Sequence, residues 1–427
     1  MKYRIAGAVA LCCSVMSAQA AGDDFDVLQP LADKPQKMTS GAYSGNYYVP
    51  STTRTVNWGY LPNQSAKPVL TVPSGSAVTF DTISHEGILE DQGRDPVAYF
   101  ATKGVPEDQV LEDAIAITAS DLEHDFFNDG PHIVTGPVAI EGAEPGDVLK
   151  VEVVKLEPRV PYGVISNRHG KGALPGEYPK TEPEPNPSSE HPERYANVST
   201  FAPIVKDGDR WYGTLDAGEQ RTIRFPLHPF MGIMGVAPAT SEPVHSVPPS
   251  RVGGNADIND LGVGSTVYYP IEVDGGLFYT GDSHFTQGDG EVALTALEGS
   301  MRATLKLTVL KSGKADLPGK QVDKLLGETS DYWITVGLDE DLDLAMKDAV
   351  RESIRFLHQQ YDIDEALALA YLSAATDFEV SQVVDKTKGI HALIRKADFQ
   401  EFDDDALREA LAACSVPDAV HRVEENL

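Results

Sequence analysis

Met301-Arg-Ala-Thr-Leu-Lys-Leu-Thr-Val-Leu310 is the stretch on which the fold turns. It is short, rich in branched side chains, and reads as a β-strand. Similar runs precede it at Val69-Leu-Thr-Val72, Ala77-Val-Thr-Phe-Asp81, Val148-Leu-Lys-Val-Glu-Val-Val154 and Val267-Tyr-Tyr-Pro-Ile-Glu-Val273. Gly, Pro, Asp and Asn punctuate them. Glu144-Pro-Gly-Asp147 is a turn leading into a strand, with proline fixing one dihedral and glycine permitting the reversal. Many short strands joined this way predict a mainly β fold over residues 66–330, a sandwich or barrel in a multi-domain chain. Residues 21–65 are polar, rich in Tyr and Gly, and read as an extended amino-terminal arm. After Trp333 the texture changes. Leu342, Met346, Val350, Ile354, Leu357 and Tyr361 recur at helical spacing. Asp362 or Asp364 can cap a second helix over Glu365–Ala374, and a third is expected over Asp404–Ala413. Residues 331–427 are therefore expected to form a C-terminal α-helical or α+β portion.

The chain opens with Lys2 and Arg4, an apolar run from Ile5 to Met16, and Ala18-Gln-Ala20. That is the order of a secretory signal peptide over residues 1–20. The run is shorter than the about 20 apolar residues a membrane span needs. The expectation is a periplasmic or secreted protein with no membrane association after cleavage. Cys12 and Cys13 would leave with the leader, so the mature fold must hold without an intrachain disulfide. The remaining Cys414 reads as a small core residue. The formal charge is −30 and becomes more negative without Lys2 and Arg4. Such a field repels nucleic acid and anionic membranes and suits neutral or cationic solutes, or metal ions.

Four polar clusters carry candidate chemistry. Gly281-Asp-Ser-His-Phe-Thr-Gln-Gly-Asp-Gly-Glu291 follows an apolar run. On an extended strand Asp282 and His284 share a face, which makes either half of a divalent-metal site or a mutually hydrogen-bonded pair. The Gly288-Asp-Gly290 turn can return Glu291 to the same space as ligand or general base. His132, in Asp125-Phe-Phe-Asn-Asp-Gly-Pro-His132, is either a rigidly held ligand or a capping or core histidine. In Gly253-Gly-Asn-Ala-Asp257 the glycines permit close backbone approach to a ligand. There Asn255 can donate to an amide oxygen as it gains charge, or the residues are ordinary turn formers. Ser84-His-Glu-Gly-Ile-Leu-Glu-Asp-Gln-Gly-Arg-Asp95 offers substrate contacts, more ligands or only a solvated loop. Two longer stretches, Pro161–Pro192 and Ser241–Gly264, read as a functional loop and as ordered turns near a site. Phosphate-loop, Gly-x-Ser-x-Gly and His-Glu-x-x-His motifs are absent from the sequence.

Taken in order, His132-Ile-Val-Thr-Gly-Pro137, Glu141-Gly-Ala-Glu-Pro-Gly-Asp147, Gly253-Gly-Asn-Ala-Asp257, Gly281-Asp-Ser-His284 and Gln287-Gly-Asp-Gly-Glu291 resemble the acetamidase/formamidase family. The resemblance runs from about Val69 to Val384. It implies an oligomeric, mostly β amidohydrolase, here a homo-oligomer such as a dimer. Its substrate would be a small amide of the formamide or acetamide kind, its products a carboxylate and ammonia, and its cofactor a divalent zinc or calcium ion. Carried onto this chain, it makes His132, Asp257, Asp282 and His284 the metal ligands. Asn255 and Glu291 become the catalytic pair, with Glu86, Gly254 and Gln287 as substrate contacts. The alternative is a secreted protein without amidase activity that binds a metal or ligand on the same scaffold. The leader, the 161–192 loop and the acidic His85–Asp95 segment depart from the family pattern, and the last two point to a substrate larger than formamide.

Overall fold

The computed structural model describes residues 25–38, 45–313 and 317–403. The leader, Cys414 and the helix expected over Asp404–Ala413 lie outside them. Most described residues enter two large sheets. In the first, Met301–Leu310 pairs antiparallel along its whole length with Val148–Pro158 and on its other side with Ser76–Asp81. The second is built around Phe278–Thr286, which is flanked by Phe230–Gly235, Ile133–Ile140 and Leu297–Glu298. The sheets pack face to face. Phe80 meets Phe278 edge-on at 5.8 Å, and Thr82 Oγ1 lies 2.9 Å from Ser283 Oγ. Burying both faces of the second sheet explains why Ile133–Ile140 and most of Phe278–Thr286 have no solvent-facing alternate residues.

The stretch read as an arm is extended and is built into the sheets. Tyr47–Val49 pairs with Ser76–Asp81, and Val56–Trp58 pairs with Ile133–Ile140. At the other end, Tyr332–Asp339, Lys388–Arg395 and Asp377–Gln382 prolong the first sheet. The helices Leu342–Tyr361 and Glu365–Ala375 pack beside them. Asp364 caps the second helix by accepting from the amides of Ala366 and Leu367. The deepest face of the longer helix is Ala345, Ala349, Ser353, Phe356, Leu357 and Tyr361; the expected stripe supplies Leu357 and Tyr361, and its Leu342, Met346 and Ile354 pack half-buried beside them. Small side chains lie deepest near its start because of close approach: a Cβ on Gly337 would strike the backbone of Ala345 and Ala349. The region 161–192 also needs correction. Tyr162–Asn167 is a strand paired with Val198–Asp207, and the loop begins only beyond Asn167.

Candidate functional site

One end of the second sheet gathers the charged side chains that the sequence scatters. Asp282 and His284 stand on the same strand and do share a face, with His284 Nε2 3.2 Å from Asp282 Oδ2. The neighbouring strand adds Glu298, whose Oε1 is 3.2 Å from the same nitrogen. His132 opens the strand Ile133–Ile140 and brings its Nε2 within 3.5 Å of Asp282 Oδ2. His85, on the loop after Ser76–Asp81, places Nδ1 3.4 Å from Asp282 Oδ1. Asp257 follows the strand Gly253–Asn255, and the Gly288–Gly290 turn returns Glu291 as expected. Asp385 completes the group from the C-terminal part of the chain.

Backbone conformation marks the same residues. Asp257, Asp282 and Glu291 have φ of 50°, 47° and 46°. Residues other than glycine adopt such angles at a cost of about 1–3 kcal/mol, and they collect where the surroundings force them. Space for the carboxylates is kept by Gly232, where a Cβ would lie 2.5 Å from Asp257 Oδ1.

Hydrogen bonding fixes one imidazole. Gln287 donates through Nε2 to the carbonyls of Asp257 and Ser381, at 3.1 and 2.9 Å. Its Oε1 is therefore an acceptor, so His284 Nδ1, 3.0 Å away, carries the hydrogen. His284 then presents Nε2 to Asp282 and Glu298. His132 is bonded through Nδ1 to Ser246 Oγ at 2.9 Å, which leaves its Nε2 toward Asp282.

The electrostatics split the group. Burial opposes ionisation of Asp282, but His132 and His284 hold it well below the usual carboxylate range. Burial, then Glu291 and Asp385, pushes Asp257 well up. Burial, then Asp385 and Glu298, does the same to Glu291. Asp385 is raised to about 7, chiefly by burial. Burial with neighbouring imidazoles takes His132 down to about 3, so it is neutral. For His85 burial is outweighed by Asp282 and Glu86, which bring it to about 10. Several buried atoms lack any hydrogen-bond partner: both nitrogens of His85, both carboxylate oxygens of Asp257, Asp282 Oδ1, Glu298 Oε2 and Asn255 Oδ1. Polar atoms left bare in a protein interior cost free energy, and the carboxylate and amide oxygens of this set are ones that a cation would satisfy. Two triads fit in different ways. His85, His132 and Asp282 bring mixed nitrogen and oxygen donors within 4.8 Å of one another, whereas Asp257, Glu291 and Asp385 bring oxygen only.

The sequence pattern of the Acetamidase/Formamidase family matches residues 107–243 and 239–395. The chain belongs to the acetamidase/formamidase family. It is 27% identical over 317 residues to the formamidase of Methylophilus methylotrophus, covering 64% of this chain and 78% of that protein. A Schizosaccharomyces pombe protein is 31% identical over 237 residues, which are 47% of this chain and only 57% of the yeast protein. The crystal structure of an acetamidase from Bacillus halodurans superposes with a TM-score of 0.62 at 26% identity, over 84% of this chain and 100% of the other.

In this acetamidase/formamidase family member, the residues singled out from the sequence fall into two sets. His132, Asp257, Asp282, His284 and Glu291 converge on one buried cluster. Asn255 stands beside them and donates from Nδ2 to Asp385 Oδ2 at 2.8 Å. Gln287 lies behind His284 with its amide fully engaged. Glu86 is also behind the cluster, held by Ser166 Oγ at 2.7 Å, Gln92, His85 and Arg168. Gly254 is part of a strand ladder, opposite Met234. Sequence reasoning misses Glu298, Asp385 and Gly232. Glu298 has one signal, a single acid within Ala296-Leu-Glu-Gly299 just before a strand. Asp385 sits in an ordinary-looking turn, Asp385-Lys-Thr-Lys-Gly389, and has none.

Proposed function

We propose that this protein hydrolyses the C–N bond of a small amide to a carboxylate and ammonia, with a divalent cation. The observation that carries the reading is the buried nest of unpartnered imidazole and carboxylate atoms in a family whose relatives are named formamidase and acetamidase. The cation would be held by His85, His132 and Asp282, mixed donors that suit zinc once His85 gives up its proton, or by Asp257, Glu291 and Asp385, whose oxygens suit calcium. When bound, such an ion supplies Lewis acidity, polarising a carbonyl and lowering the pKa of water toward about 7.

The protein's own groups do the rest. His132 enters neutral and offers a lone pair without a proton to lose. His284, against the pull of burial, has its proton affinity raised by Glu298 and Asp282, and must release its Nε2 proton to serve as a ligand while Gln287 keeps the proton on Nδ1. Glu291 lines the cavity, and burial, then Asp385 and Glu298, raise its proton affinity, so in its ionised form it is a strong base for a proton of water and, once protonated, an acid toward the leaving nitrogen. Asn255 orients Asp385, which at about 7 is poised to exchange protons with the cluster near neutral pH.

The test is ammonia release by the purified protein from a panel of amides, with and without a chelator. Turnover that chelation abolishes and zinc or calcium restores is the expected result, and Glu291→Gln should cut kcat by about 10²-fold or more. Unchanged turnover in the chelator, or in that variant, overturns the corresponding part of the mechanism. A folded, metal-loaded protein that turns over no amide would favour the binding-protein alternative.

A further inference from the structure

The cavity over the cluster is much larger than the amides named for the family's enzymes. Its volume is about 410 Å³. A three-heavy-atom amide fills only roughly two water volumes of ~30 Å³ each, whereas cavities of ~300–1,000 Å³ hold far larger ligands. The charges of floor and rim are opposite. The buried acids of the floor are Asp282, Glu291, Glu298 and Asp385; the exposed Lys171 and Lys386 stand at the mouth beside Lys388 and Asp129, with Arg168 buried behind them. In a chain of net charge −30, cations gathered here and aimed at one cavity need a reason.

Balancing the floor is not that reason. Among the described residues neither Lys171 nor Lys386 makes a side-chain hydrogen bond or ion pair with any acid; Lys171 Nζ lies only near the Phe126 ring, 6.0 Å from its centre. The backbone that carries each lysine is nevertheless fixed by hydrogen bonds. The turn carrying Lys171 closes with its amide donating to Arg168 O at 3.1 Å. That turn is tied to the segment after Glu291 by Ala173 N to Val292 O at 2.9 Å and Asn167 Nδ2 to Ala293 O at 2.6 Å. Lys386 has a φ of 63° in a turn that Gln382 braces through Thr387 O and the amides of Val384 and Asp385. The two charges act on common ground, since the half-buried His245 in the same wall is pushed down by burial and then by Lys386 and Lys171. Arg168 stands behind them, fixed by Glu86 at 3.0 Å and Asp91 at 2.8 Å, with Nη2 unpartnered.

We propose that the amide this enzyme hydrolyses carries a carboxylate, seated between Lys171 and Lys386, while the amide group lies on the floor. The class is the half-amide of a small dicarboxylic acid. Water's oxygen bonds to the amide carbon and the C–N bond breaks; one proton of the water leaves with the nitrogen as ammonia, the other passes to solvent, and a dicarboxylate remains. The inference rests on the amide-hydrolase reading above.

The experiment compares kcat/KM for the mono-amide of succinic acid with that for butanamide, its neutral counterpart of similar size. The wild type, Lys171→Gln, Lys386→Gln and Lys386→Arg are tested. The wild type should prefer the charged amide roughly tenfold or more. The preference should collapse in the two Gln variants and survive in the Arg variant. Equal or better use of butanamide, or a preference that both Gln variants retain, overturns the proposal while leaving amide hydrolysis intact. Should neither amide be turned over, calorimetric binding of succinate to the metal-loaded protein decides. Binding lost in the Gln variants supports the anion site, and no binding to the wild type refutes it.

Discussion

Gly232 shows how little of a site its ligands reveal. It contributes no chemistry, yet a methyl group there would intrude between Asp257, Asp282 and His284. Gly232→Ala should destabilise the protein by about 1–3 kcal/mol and lower its content of tightly bound divalent metal, checked by denaturant unfolding and by elemental analysis after dialysis. The same variant with unchanged metal content would show that the cluster is roomier than its distances imply. At this scale the sequence is informative where a residue type is rare in its setting. Asp282-x-His284 and Glu291 after Gly-Asp-Gly can be picked out because alternation and turn geometry are local rules. Glu298 and Asp385 reach the site through strand pairing and a distant turn, and no local rule carries that information. Gln287 reads as a substrate contact from sequence because a polar side chain beside a site says nothing of which way it bonds.

Among the elements, the strand Ser76–Asp81 matters for its last residue. Asp81 accepts from Arg302 at 2.6 and 2.9 Å and from the Tyr48 hydroxyl at 2.6 Å. Arg159, fully buried just beyond the strand Val148–Pro158, bonds Asp113 at 2.8 Å and lies 3.5 Å from Asp81. This network locks the first sheet to the short helix Glu112–Thr118. Arg159→Met should cost about 3–5 kcal/mol, because Asp113 and Asp81 stay buried with less countercharge. Urea unfolding measures it, and a loss under about 1 kcal/mol would mean that water enters the gap. Strands such as Met301–Leu310 are legible to the residue, as is the Asp364 cap. Tyr162–Asn167 reads as loop from sequence because prolines and glycines crowd the residues after it. The apolar spacing of the long helix finds the packed stripe that ends in Leu357 and Tyr361 but not Ala345 and Ala349, which the close contact with Gly337 puts deepest.

Across the whole molecule, His391 joins the C-terminal strands to the core. It is buried, bonded through Nδ1 to Ser381 Oγ at 2.9 Å, and 3.1 Å from Asp260 across the sheet boundary. Burial lowers its proton affinity, but Asp260 and Glu379 outweigh this and raise it from 6.5 to about 9. A raised folded-state value means stability that is full below about pH 6.5 and lost as pH climbs through about 9. The stability difference between wild type and His391→Gln should therefore shrink across that window, by on the order of a few kcal/mol, in pH-resolved thermal unfolding. A difference that does not vary with pH would mean the imidazole is neutral throughout. Sequence texture separates arm, β region and helical portion, but it cannot show that the first sheet runs through all three, since long-range pairing leaves no local trace. The left-handed backbones of Asp257, Asp282 and Glu291 bear on how such a protein can change over generations. Asparagine or glycine would sit more comfortably at each, and at Asp257 and Glu291 would relieve buried like charge besides. Drift toward greater heat resistance therefore runs, at these three positions, directly against the chemistry, and selection for activity must hold the fold short of the sturdiness its own scaffold would allow.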